Sequence, residues 1–328
     1  AREPPPVLPC KTPESSAPST KRYTPHDLHR LFVGRKLPNL KILAELGTGI
    51  EVKDSTDPLL SVCDVVNLKR GRHGKLLTPP KAALDVVGMD IGYGEGVSPG
   101  GYRYCLMLVN RTTRKMWVYV LPDMGGNSLC DLLWRFFIDA GGFPRQVQSD
   151  FDPKFVGGHV ARLLRTHFIR LRASPPHRQS QNGLVESHWR VACGMARGLL
   201  AEAQLPKRYW FWAICEAALQ MNLLPVQVPQ SDGTKASSTP HELFYGTKPD
   251  YRVLFHWGSY GYYHPPQDGG RGQRTKFESK RFTGIALGRS NVSNALVFYN
   301  PTLQKISTSA DYLLDSNKLI GSAFPSLH

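Results

Sequence analysis

The chain has 328 residues, 41% of them apolar and 20% charged, and its 41 Lys and Arg against 26 Asp and Glu leave a formal net charge of +15. This length and apolar share exclude a disordered or fibrous protein and allow two or three domains with at least one substantial core. The charge calls for an anionic partner, nucleic acid before an acidic membrane surface. A membrane span is not expected, because the richest apolar stretch, Trp210 to Val228, is broken by Glu216, Gln220, Asn222 and Pro225.

Residues 1–24 are rich in Pro, Ser and Lys and lack periodicity, so they read as a disordered lead-in. The chain begins at Ala1 without Met or a signal peptide and reads as a piece of a longer polypeptide. A helical pattern punctuated by Pro38 follows, and residues 25–66 are taken as a small helical module. The breaker-rich basic stretch 67–81 reads as a linker.

Three segments dense in β-branched and aromatic residues come next, Leu84–Asp90, Tyr102–Asn110 and Lys115–Leu121, with Asn110-Arg-Thr-Thr-Arg114 as a hairpin turn. A helix over about Ser128–Ala140 stops at Gly141-Gly142 and a short strand runs into Asp150. The pattern continues with a helix over 159–167, a strand over 168–172, a Pro-rich loop ending at Asn182-Gly183, and helices to about Ala203 and over Tyr209–Leu224. This order predicts an α/β ribonuclease H-like core, a mixed five-stranded sheet with helices, over residues 82–226. Residues 227–257 read as a linker, 258–315 as a small barrel-like β module of short strands, and 316–328 as a tail. The six cysteines form no CxxC pair, and Cys105, Cys130, Cys193 and Cys215 sit in apolar contexts as small core residues of a reducing compartment.

Three acids stand out. Asp90 ends an apolar run, Asp150 ends Val-Gln-Ser-Asp, and Glu186 lies in Gln-Asn-Gly-Leu-Val-Glu with 35 residues between it and Asp150. Taken singly, such an Asp is most often a turn former, and a Glu early in a helix most often favours the helix dipole. Together, two carboxylates at strand ends and one on a helix can hold a pair of divalent cations and drive phosphoryl transfer. On the helix that carries Glu186, Val185, Trp189, Ala192, Ala196 and Leu199 form an apolar stripe. Arg190 and Arg197 fall within about 40° of Glu186 at 3.6 residues per turn, an arrangement suited to metal plus phosphate or to a plain surface ion pair. Asp85 and Asp152 are rival acids. Gly92-Tyr-Gly94-Glu-Gly96 is not a dinucleotide fingerprint, since no helix opens after it. The Asn110 and Asn291 sequons read as chance, and Trp210-Phe-Trp212 reads as helix packing.

Over roughly residues 25–315 the chain resembles the integrase of copia-type long-terminal-repeat retrotransposons. The matching stretches are Val-Gly-Met-Asp90, Gly-Gly-Tyr-Arg-Tyr (100–104), Lys-Met-Trp-Val-Tyr (115–119), Ser-Asp150, Gln-Asn-Gly-Leu-Val-Glu186, Leu-Pro-Lys-Arg-Tyr-Trp (205–210) and Asn-Leu-Leu-Pro (222–225). The resemblance implies a DDE-type polynucleotidyl transferase with Asp90, Asp150 and Glu186 as the catalytic, metal-holding triad. Mg²⁺ is the implied metal, with Mn²⁺ as a substitute. It passes over Asp85 and Asp152. Asn182, Lys154, Arg190 and Arg197 are the expected DNA contacts. The family's N-terminal zinc site is not expected here: His29 and Cys63 fit first positions, but Arg35 and Val66 stand near the second ones. His26 and His73 do not restore a standard zinc spacing, so the module reads as degenerate.

The implied partners are the DNA ends of the element, target DNA, further copies of the chain and other parts of the same polyprotein. No membrane partner is expected. The implied setting is a cytoplasmic particle and then the nucleus. Three rivals stay open: a cut-and-paste transposase, a decayed element that binds DNA without catalysis, and a DNA-packaging module.

Overall fold

The computed structural model describes residues 20–32, 42–52, 84–94, 96–174, 183–229, 235–264, 281–290 and 295–315. At the N-terminal side, β1 (Lys21–Tyr23) pairs in parallel with β2 (Ile50–Val52). Between them Thr24 and Asp27 form a capping box that starts α1 (Pro25–Leu31), and α2 (Leu43–Leu46) follows. Residues 21–23 were placed in the lead-in; a three-residue strand carries no periodicity of its own and forms because β2 offers it a ladder.

The centre is a five-stranded mixed sheet of β3 (Val86–Tyr93), β4 (Tyr104–Asn110), β5 (Met116–Leu121), β6 (Gln146–Asp150) and β7 (Arg170–Ser174), in spatial order β5-β4-β3-β6-β7. The first three form an antiparallel meander, and β6 and β7 join in parallel on the other side of β3. The connections are α3 (Gly126–Ala140), closed by Gly141 at φ +72°, then α4 (Pro153–Val156) and α5 (Gly158–Thr166). After β7 come α6 (Gly183–Glu202) and, beyond a 3-10 turn at Lys207–Tyr209, α7 (Trp210–Leu223). This is the ribonuclease H-like fold, and its α/β order matches the expectation.

Strand alternation splits the sheet's apolar residues between two cores. Val87, Met89, Ile91, Leu106, Leu108, Trp117, Tyr119 and Val147 pack under α3 and α5. Cys105, Met107, Val109 and Met116 face the other way, onto α6 and α7 through Val185, Ala192, Met195, Ala196, Ile214 and Ala217.

The stretch 227–257, expected as a linker, is built. It holds an antiparallel pair, β8 (Val226–Pro229) with β9 (Lys235–Ser238), then α8 (Pro240–Tyr245) capped by Thr239, then a 3-10 turn at Tyr251–Val253. Its elements are too short for periodicity to show, and buried Tyr251 ties it down by donating its hydroxyl to the Leu223 carbonyl at 3.0 Å. The last five strands, β10 (Tyr260–Tyr263), β11 (Phe282–Arg289), β12 (Leu296–Asn300), β13 (Lys305–Ser309) and β14 (Tyr312–Asp315), form an antiparallel sheet in the order β13-β12-β11-β10-β14.

The three parts share one core. Leu28, Leu31 and Phe32 of the N-terminal part and Trp257, Ile285 and Phe298 of the C-terminal part are continuous with the α6–α7 layer. Arg30 pairs with Glu202 at 2.7 Å, and Trp257 donates its indole N–H to the Leu287 carbonyl at 2.8 Å. Among the described residues no helix is long and apolar enough to cross a membrane.

Candidate active site

β3 runs on to Tyr93, so Asp90 lies inside the strand rather than at its end as the apolar run implied. β4 is long enough to pair with Gly92 and Tyr93 after the apolar run stops. The parallel ladder to β6 ends earlier, with Gly88 opposite Gln148. Two residues beyond that pair, on the same side by alternation, stand Asp90 and Asp150. The two acids therefore flank the point where β3 and β6 part, at the carboxyl ends of parallel strands, where open α/β sheets present their ligand crevices.

Glu186 is half-buried on the first turn of α6. That helix is fixed by Val185, Ala192, Ala196 and Leu199 in the core, and Trp189 of the same stripe lies against β3. A Cβ on Gly92 would come within 2.3 Å of the Trp189 ring, and one on Gly94 within 1.8 Å of Trp210. The glycines of the Gly-Tyr-Gly stretch are thus seats for two tryptophans. Alternating glycines on one face of a strand, with tryptophans on the following helices, were the signal in the sequence. Trp212 and Phe211 are packing residues, as expected: Trp212 lies 3.7 Å from the position of a Cβ on Gly288, and Phe211 lies against Tyr102.

Asp90 is half-buried, and its Oδ1 accepts the Ile91 N–H at 2.8 Å. Burial pushes its carboxyl up to about 6; the Ile91 N–H opposes this, while the charges of Asp150 and Glu186 add to it. The buried indole N–H of Trp189 also favours the ionised form, without reaching ordinary hydrogen-bond geometry to any acceptor. Asp150 is exposed at the end of β6. Asp90 thus feels the charge of both other acids. They fit a hard divalent cation in donor chemistry and in the mutual repulsion that a cation relieves. Among the described residues, however, no three His, Cys, Asp or Glu side chains close into a ligand cluster.

Both rival acids have structural partners. Asp152 caps α4, accepting the Lys154 N–H at 2.9 Å, and Asp85 pairs with Arg145 at the far end of β3. Arg190 and Arg197 are exposed on α6. Lys154 reaches towards Asp152 and the Met124 sulfur, at 3.9 and 3.5 Å. Asn182, Cys63 and the His29 side chain lie outside the described residues. Sequence reasoning missed Gln148, which is buried two residues before Asp150 and accepts Arg111 at 3.0 Å.

Residues 80–179 match the family model of the integrase core domain. The chain is 24% identical over 241 residues to the retrovirus-related Pol polyprotein from transposon TNT 1-94 of Nicotiana tabacum, an alignment covering 72% of this chain and 17% of that protein. It is 27% identical over 174 residues to the Pol polyprotein from transposon RE2 of Arabidopsis thaliana, covering 52% of this chain and 11% of that one. The chain therefore spans less than a fifth of these relatives. Among solved structures it is similar to a chain of the simian T-cell lymphotropic virus intasome in complex with PP2A regulatory subunit B56 gamma, with a TM-score of 0.41, 14% identity, and coverage of 76% of this chain and 83% of that one. It is also similar to the HTLV-2 integrase catalytic core domain in complex with magnesium, with a TM-score of 0.37, 15% identity, and coverage of 49% and 96%. The chain resembles the integrase region of copia-type retrotransposon polyproteins, and residues 80–179 of its core carry the match to the integrase core domain.

Proposed function

We propose that the chain inserts retrotransposon DNA into target DNA by strand transfer, with Asp90, Asp150 and Glu186 as its catalytic residues. The observation that carries this reading is the register of Asp90 and Asp150 on adjacent parallel strands, with Glu186 close enough to raise the proton affinity of Asp90. Asp90, Asp150 and Glu186 would hold divalent cations, Mg²⁺ or Mn²⁺, which when bound activate an attacking hydroxyl and stabilise the leaving 3′-oxygen.

The chain's own groups prepare that chemistry. The Ile91 N–H holds the Asp90 carboxylate in one orientation, and the Trp189 ring on Gly92 keeps water from one side of it. Arg190, Arg197, Lys154 and Asn182 would take up phosphates and fix the strand without reading its sequence. The displacement is in line and needs no covalent enzyme intermediate. The partners under this reading are element and target DNA, further copies of the chain and the rest of the polyprotein, in a cytoplasmic particle and then the nucleus. A second reading, a DNA binder without catalysis, is favoured by the open arrangement of the three acids.

Strand transfer on a labelled oligonucleotide with Mg²⁺ or Mn²⁺ separates the two. The first reading expects joined products from the parent and none from Asp150→Asn. A parent that binds the duplex and joins nothing with either metal establishes the second.

A further inference from the structure

α6 and α7 cover one face of the central sheet only in part: α6 packs on β3 and β4, and α7 on β5. On that face lie Gln146, Gln148 and Asp150 of β6, with Arg170 and Arg172 of β7 in register beside the first two. None of these five belongs to either apolar core. Their alternates Val147, Ile169 and Leu171 point the other way, into the α3–α5 core, so the polarity follows the strand period; on this face Gln148 is buried, while β7 stays open to solvent at Arg170 and Arg172.

The open strand is cationic. Arg170 and Arg172 are exposed, about 7 Å apart along β7 at roughly 3.3 Å per residue, in a row that ends opposite Gln148, two residues short of the level of Asp150. Arg111 from the β4–β5 turn lies across the same face, donating to buried Gln148 at 3.0 Å. Arg114 closes that turn, half-buried, at φ +64°, where a side chain other than glycine is strained. Among the described residues no carboxylate pairs with Arg111, Arg114, Arg170 or Arg172, and burial together with the charge of Arg111 makes the Arg114 proton easier to lose. A protein gains nothing in stability from a strained, half-buried arginine set against another cation. An anion there offsets the repulsion between the two cations and the burial of charge.

We infer that the β6–β7 face, through Arg111, Arg114, Arg170 and Arg172, is a track for a nucleic-acid sugar–phosphate backbone that leads one strand to Asp150. The occupant is set by charge complementarity and by the row's continuity with the acid pair. This face is distinct from the α6 arginines, which stand on the helix. It rests on the integrase reading only in taking the acids as the place where the strand ends.

Binding of a short labelled duplex, followed by fluorescence anisotropy in EDTA over a range of salt, tests it without any chemistry. The double variant Arg170→Gln/Arg172→Gln removes two exposed side chains and should lower the slope of log Kd against log salt by about two, near 0.9 per phosphate contact. Arg114→Gly, which the backbone at +64° accommodates, should lower it by about one more. The control Arg162→Gln/Arg165→Gln removes the same charge from exposed positions on α5, across the sheet, and should change the slope by less than about 0.5. Equal losses in the test and control variants, or no loss in the test variant, overturn the track. A double variant that loses slope as expected, with a parent that joins no strands with Mg²⁺ or Mn²⁺, keeps the track and ends the integrase reading. A parent that joins strands, with test and control variants binding alike, keeps the reading and ends the track.

Discussion

Asp90 and Glu216 are both carboxylates that burial drives towards the protonated form, to about 6 and about 7, but their neighbours differ in sign. Glu216, 3% exposed on α7, accepts the Gln220 side-chain N–H at 3.1 Å and feels the Arg289 guanidinium of β11. Every named neighbour except Cys215 offsets its charge, and the acid helps join α7 to the C-terminal sheet. Asp90 has one backbone donor and one indole against two further carboxylates. A buried acid beside a donor and a cation is part of the packing, whereas one crowded by other acids carries a repulsion that a proton or a bound cation relieves.

The largest expected difference between the two is in activity. Asp90→Asn should cut strand transfer by at least about 10²-fold, since even a small misplacement of reacting groups costs that much. Glu216→Gln should leave the transfer rate within about two-fold. Comparable losses from both variants, in the same oligonucleotide assay, would erase the distinction.

Gly92→Val attacks the seat that holds Trp189 beside Asp90. Its Cβ would come within 2.3 Å of the ring, and overpacking of this kind costs about 1–3 kcal/mol. Thermal unfolding should show the loss, together with weaker transfer. A stable variant with full activity would mean that Trp189 does not position Asp90.

The pH dependence follows from the direction of the shifts. A carboxyl whose folded pKa is raised binds more protons folded than unfolded, so its cost to stability is absent below the unfolded value and grows as pH rises through the folded one. For Glu216 that window runs from about 4.5 to about 7. Glu216→Gln should therefore stabilise the chain at pH 8 relative to pH 5, on the order of 1 kcal/mol, read as a flatter melting temperature across that range. A parallel decline in variant and parent would remove Glu216 as its source.

The effect of metal on the parent is of the same order. Millimolar Mg²⁺ at pH 7.5 should raise the melting temperature by a few degrees, since a ligand present at ten times its Kd adds about 1.4 kcal/mol. Asp150→Asn should abolish the rise and Glu216→Gln should not. A rise that survives Asp150→Asn would place the cation elsewhere.

Much of the core was legible because it rests on local rules. The alternation in β4 and β5, the stop at Gly141-Gly142 and the apolar stripe of α6 each lie within one element. Elements whose partners are distant in the chain were not legible: β1 needs β2, and β8, β9 and α8 are too short for any period to show. Of the acids, the family resemblance picked out Asp90, Asp150 and Glu186, but not why Asp85 and Asp152 differ. That depends on the Arg145 partner of the first and on the helix start capped by the second.

By itself the sequence determined the binary pattern, and with it the two-faced strands, the order of elements and the excess of positive charge. The tertiary structure alone decided which strand of the α6–α7 face stays open, which glycines receive tryptophans, and which buried acid is offset and which is crowded. The reason is range. Periodicity is fixed by neighbours one or four residues away, whereas the field at a carboxylate is summed over groups that the fold brings together from anywhere in the chain.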